Sequence, residues 1–196
     1  MRKPMVVLLA VLALSLGGCG YNDFQSGDEQ VKASWSEVVN QYQRRADLVP
    51  NLVATVKGEA NFEQETLTKV IEARAKATSI QATPELINDP AAFTKFQQAQ
   101  GELSGALGRL LVVAEAYPQL KSDETFKQLQ GRIIALEESI ADRRELYNDQ
   151  VNLNNIRVKV FPDVIIAQKF GFLAAQLLEF ADEEKRDVNV NALFGT

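Results

Sequence analysis

Five charged residues fall on or beside helical stripes that are otherwise apolar: Arg45, Glu63, Arg74, Glu137 and Arg144. Projected at about 100° per residue, Arg45 flanks Trp35, Tyr42 and Val49, while Glu63 and Arg74 share the face of Leu67 and Val70. Glu137 and Arg144 flank Ile133, Ile140 and Val151. Carboxylates held beside guanidinium groups could do acid–base work with shifted pKa values. Inward-facing carboxylates of a bundle could also hold a metal pair, and an excess of arginine could hold an anion. The sequence excludes much of this chemistry. It has no histidine, hence no imidazole base, no Ser-His or Cys-His pair and no His-ligated metal. Di-metal bundle sites need Glu-x-x-His pairs, so neither a metal nor a cofactor is expected. An isolated buried charge is costly, so the five are expected to pair across helices in a network that fixes their register.

Other polar residues belong to softer chemistry. Asn148, Asn152 and Asn155 share a stripe of "YNDQVNLNN", and Asn51 lies away from the main stripe of its helix. These four are the candidates for partner contact. Arg44 and Asp47 point outward and could pair at i, i+3. Pro50 has no N–H to give and should bend its helix near Ala46. Gly101 and Gly105, spaced as GxxxG, suggest a close helix approach.

The single cysteine stands in a separate context. The chain opens MRKPMVVLLAVLALSLGGCG, with Arg2 and Lys3 before an apolar run from Met5 to Leu16. A spanning helix needs about twenty apolar residues, so this run has the length of a signal peptide. Leu16-Gly17-Gly18-Cys19 resembles a bacterial lipobox, which makes Cys19 the expected lipid-attachment residue after removal of residues 1–18. Several acyl chains on one residue give stable anchoring. Gly20, where aspartate commonly marks inner-membrane retention, points to the outer membrane of a Gram-negative envelope. Residues 19–27 read as the lipidated cysteine and a polar tether, and residues 181–196 as a polar tail.

The elements that must position these residues are helices. With 196 residues, 46% hydrophobic and 24% charged, the chain can bury a globular core. Its net charge of -5 argues against nucleic acid as a partner. Helical spacing recurs four times: over about 28–57, about 61–81 with Asn61 and Gln64 as a capping box, from Asp89-Pro90, and from Ser122 or Asp123 to near Val160. The third seam runs Phe93, Phe96, Gln100, Leu103, Leu107, Leu110, Ala114 and Tyr117 in heptad steps, stopped by Pro118. Thr83-Pro84 opens a single turn before it. Short connections predict an all-α, up-down-up-down antiparallel four-helix bundle over 28–180. "DVIIAQKFGFLAAQLLEF" adds a short helical piece folding back on it, either packed on the core or docked elsewhere.

The order and spacing of Trp35-Ser36, "QRRADLVPNLVATVKG", Glu63 with "ARA", "AEAYPQL", "FKQLQ", "RRELYNDQVNLNN" and Phe161-Pro162 resemble LemA family proteins. The resemblance covers about Tyr21 to Phe180. It implies a long helical bundle displayed outside the cytoplasm, tethered at its N-terminus, with an accessory or scaffold role and no implied enzyme activity. Family members more commonly carry an N-terminal transmembrane helix where this sequence has a lipobox. The expectation is a lipid-anchored envelope protein facing the periplasm, its partners the membrane and an envelope protein. The alternatives are a small-ligand or peptidoglycan binder and, third, an enzyme built on carboxylates and arginines.

Overall fold

The computed structural model describes residues 2–59 and 61–179, with side chains from Gly20 onward. Cys19's side chain, the tail 181–196 and Phe180 lie outside what it describes. The chain is all-α. Helix α1 spans Arg2–Lys57, α2 Gln64–Ser79, α3 Pro90–Ala114, α4 Pro118–Ser122, α5 Glu124–Lys159 and α6 Asp163–Phe170. A 3-10 turn at Pro84–Asn88 precedes α3.

Local chemistry explains most boundaries. Asp89 caps α3 by accepting from the Ala91 and Ala92 amides at 3.0 Å each, with Pro90 at the first helical position. Asp123 caps α5 through the Phe126 amide at 2.8 Å. Gly171, at φ 76°, ends α6 in the left-handed conformation that glycine adopts without a Cβ clash.

Four expectations need correction. Asn61 does not cap α2; Glu63 takes the N-cap position without a side-chain cap bond. Pro118 does not merely stop α3, which ends at Ala114, but opens the short helix α4. Residues 20–27 are not a free tether. They continue α1, and Phe24 is fully buried against the Phe172 ring, 5.1 Å between centroids. Finally, the C-terminal piece is helical only through Phe170; residues 172–179 form a non-helical strap.

Helices α1 and α5 run antiparallel in one register. Arg157 donates to the Asp23 backbone carbonyl, while Glu37 pairs with Arg143 and Arg45 with Glu137. Helix α2 folds back along α1 and pairs with α3, where Lys76 meets Glu102 at 2.6 Å. The buried side chains form two apolar clusters. One joins Leu48–Val56 of α1 to α2, Leu103–Ala114 of α3 and Phe126–Ile133 of α5. The other gathers Val31–Tyr42, Phe93, Phe96, Ile140, Tyr147 and Val151, with Ala175 and Leu178 of the strap. Trp35 lies at its centre, 5.3–5.5 Å from the rings of Phe93, Phe96 and Tyr147. Its indole N–H donates to the carbonyls of Ala82 and Thr83.

Candidate functional site

Between the two apolar clusters lies a polar layer centred on Arg45, whose side chain is 0% exposed. Helix α1 projects it inward, α3 supplies Gln100 and Ser104 one turn apart, and α5 supplies Glu137. One terminal nitrogen donates to both Glu137 oxygens, at 3.0 and 3.1 Å, and to the Ser104 hydroxyl. The other donates to the Gln100 carbonyl at 3.1 Å and to its side-chain oxygen at 2.8 Å. Ser104 in turn lies 3.1–3.2 Å from the Glu137 oxygens, and the guanidinium sits 5.1 Å from the Tyr42 ring centroid. Three helices are thus tied to one side chain. The rigid donor fork of arginine suits this task where the flexible ammonium of lysine would not.

A second polar junction explains Pro50. Proline at that position leaves the Ala46 carbonyl without its i+4 donor, and Ala46 is buried, where an unmade bond is costly. Arg74 of α2 fills the gap: its Nε donates to the Ala46 carbonyl at 2.8 Å. The helix runs on through Pro50 to Lys57. Arg44 and Asp47 are both exposed, and Asp47 accepts from Gln43 at 2.8 Å rather than from Arg44.

The third junction clamps the strap onto α5. Asn148 donates to the Leu178 carbonyl and accepts from its amide, both at 2.8 Å. Asn155 does the same with Ala175, both at 2.9 Å. The two asparagines are two helical turns apart, about 10.5 Å at the helical rise, which three residues of extended chain match at about 10 Å. Tyr147 donates to the Gln176 carbonyl at 2.7 Å, and the Gln176 amide to the Ile87 carbonyl at 2.9 Å. Arg144 and Gln97 both donate to the Glu179 carbonyl. Burial pushes the Tyr147 phenol above its ordinary value of 10.0.

The five expected charges therefore divide. Arg45 and Glu137 pair across α1 and α5. Arg74 serves a backbone carbonyl and Arg144 binds the strap. Glu63 sits at the N-terminus of α2, accepting from the Thr66 hydroxyl at 2.8 Å, where a carboxylate complements the helix dipole. Asn148 and Asn155 are spent on the chain's own strap rather than offered to a partner, while Asn152 and Asn51 are exposed. Gly101 and Gly105 lie on the outer face of α3, where an added Cβ would meet nothing within 4 Å, so no close helix approach uses them. A groove of about 470 Å³ between α2 and α3 is open to solvent. Its Lys76 is paired with Glu102 and its Lys69 with Glu65. Sequence reasoning missed the strap. The available signal was an i, i+7 asparagine pair, each amide able to both donate and accept, followed by an apolar stretch of poor helical period.

Fold and site together define, over the described residues, a helical protein in which Arg45, Arg74, Asn148 and Asn155 bind neighbouring side chains and the chain's own backbone. Residues 34–192 match the LemA family, and the chain belongs to that family. Among its relatives are the magnetosome protein MamQ 2 of Paramagnetospirillum magneticum and the magnetosome protein MamQ of Magnetospirillum gryphiswaldense, each 28% identical. The first match covers 91% of this chain and 74% of the relative, the second 87% and 71%. Protein LemA of Metamycoplasma hominis is 22% identical, over 88% of this chain and 74% of its own length.

Proposed function

We propose that the chain is a lipid-anchored interaction protein of the cell envelope, a non-enzymatic scaffold or accessory protein facing the periplasm. Cys19 carries the lipid, and the four long helices α1, α2, α3 and α5 form an up-down-up-down bundle displayed from the membrane. Gly20 favours the outer membrane. The observation that carries this reading is the use made of the polar residues. Arg45, Glu137, Asn148 and Asn155, the side chains best placed for chemistry, are engaged in holding helices and strap together. What remains for function is the outer surface and the address, and the lipobox supplies the address. Family membership fits a role of this kind.

Photo-crosslinkers placed at exposed Asn51 and Asn152 in cells, followed by identification of the adducts, test the reading. A reproducible envelope-protein adduct at one of these sites is expected. Adducts confined to cytoplasmic proteins, or none at either site, would contradict it.

A further inference from the structure

The end of the molecule nearest Cys19 carries a cluster of exposed apolar side chains. The α1–α5 register sets Arg157 against the Asp23 backbone carbonyl, so the turn after α5 falls level with residue 19. That turn exposes Val160 and Phe161, the latter 81% accessible, and Ile165 and Phe170 of α6 are likewise exposed. Helix α6 does not hang free at this level. Gly20 lies so close to Ile166 that an added Cβ would stand 2.7 Å from its Cδ1, and the Tyr21 ring packs edge-on against Phe170 at 5.0 Å. Around the cluster stand Arg157, Lys159 and Lys169 with Asp23 and Asp163, and Asp28, Lys32 and Glu85 line the cleft beside Phe170, so charges of both signs rim the apolar patch.

We propose that this base, Phe161, Ile165 and Phe170 with Lys159 and Lys169, lies in the headgroup layer of the bilayer that holds the N-terminus. The inference rests on the anchored reading of Cys19 and adds a second, non-covalent contact to it. Distance is the argument. Gly20 directly follows the lipidated residue, and consecutive helical residues rise only about 1.5 Å. No slack chain separates anchor from bundle, because residues 20–24 are helical and packed. The interfacial layer is roughly 5–8 Å deep on each side of the bilayer, so a helix touching residue 20 is inside it. Aromatic and aliphatic residues flanked by lysine suit that layer, with the apolar groups in the acyl boundary and the ammonium groups among phosphates. The contact would fix the angle at which the bundle stands from the surface.

The full-length lipidated protein, reconstituted into vesicles of phosphatidylethanolamine and phosphatidylglycerol with dibrominated acyl chains, tests this. Phe161→Trp places an emitter at the base, and Val112→Trp places one on exposed α3 at the opposite end, while buried Trp35 contributes a constant background. After vesicle flotation and matched helical circular dichroism, quenching of the Phe161→Trp signal by about twofold is expected, with Val112→Trp unchanged. If the protein floats but Phe161→Trp is unquenched, the base does not touch lipid and the proposal falls while the anchor stands. Should that emitter instead be shielded only as protein density rises, a second copy covers the patch, which also overturns it. Equal quenching at both positions means the bundle lies flat, against the proposal. Failure to float removes the anchored reading and the proposal with it.

Discussion

Arg45 shows what one residue can be asked to do. It lies fully buried between two apolar clusters, and its charge is balanced by Glu137, whose side chain is 34% exposed. Removing only the carboxylate leaves a buried guanidinium partly unpaired. Glu137→Ala should therefore cost about 3 kcal/mol of unfolding free energy in denaturant titration. Replacing both partners by apolar residues, Arg45→Met with Glu137→Leu, should cost less than the sum of the two single changes. Additive losses would show that the two side chains do not act as a pair. Arg74 and Pro50 form a similar cycle through the backbone. Arg74→Ala should cost about 1–3 kcal/mol, and appreciably less in a Pro50→Ala background, where residue 50 can donate to the Ala46 carbonyl itself. An equal cost in both backgrounds would sink that explanation. Arg45 was legible in the sequence because an arginine on an apolar stripe must find a partner. Arg74's role was not, since its acceptor is a carbonyl that periodicity does not mark.

At the scale of elements, the seams of α3 and α5 were readable because apolar side chains repeat with the helix. Phe93, Phe96, Gln100, Leu103, Leu107, Leu110 and Ala114 are all buried, as the heptad steps required. The strap was not readable, because its order comes from Asn148 and Asn155 on another element rather than from its own pattern. The continuation of α1 back through Phe24 was missed for a related reason: Phe172, which buries it, is remote in sequence. Asn148→Ala with Asn155→Ala should release residues 172–179, read as faster amide exchange at Ala175 and Leu178 while α1 and α5 stay protected. Unchanged exchange there would contradict the clamp. Tyr147 adds a pH dependence. Its folded-state pKa is raised, so its contribution is present below 10.0 and is lost as pH climbs toward the folded value. Stability should fall on going from pH 9 to above pH 10.0 more steeply in the wild type than in Tyr147→Phe, and parallel curves would refute the assignment.

For the whole molecule, the internal side chains hold the helices together, and the proposed address rests on the N-terminal segment. Among residues with described side chains no helix is long and apolar enough to cross a membrane, and the apolar run from Met5 to Leu16 lies outside that set. Anchoring through Cys19 is therefore the central claim to test. The most direct measurement is the mass of the mature N-terminus, taken with membrane fractionation, for the wild type and for Cys19→Ser. The account predicts a wild-type chain beginning at an acylated Cys19 in the membrane fraction, and a Cys19→Ser chain retaining residues 1–18 without lipid. An unacylated N-terminus in the wild type, or the same mass and fractionation for both apart from the single substitution, would contradict it.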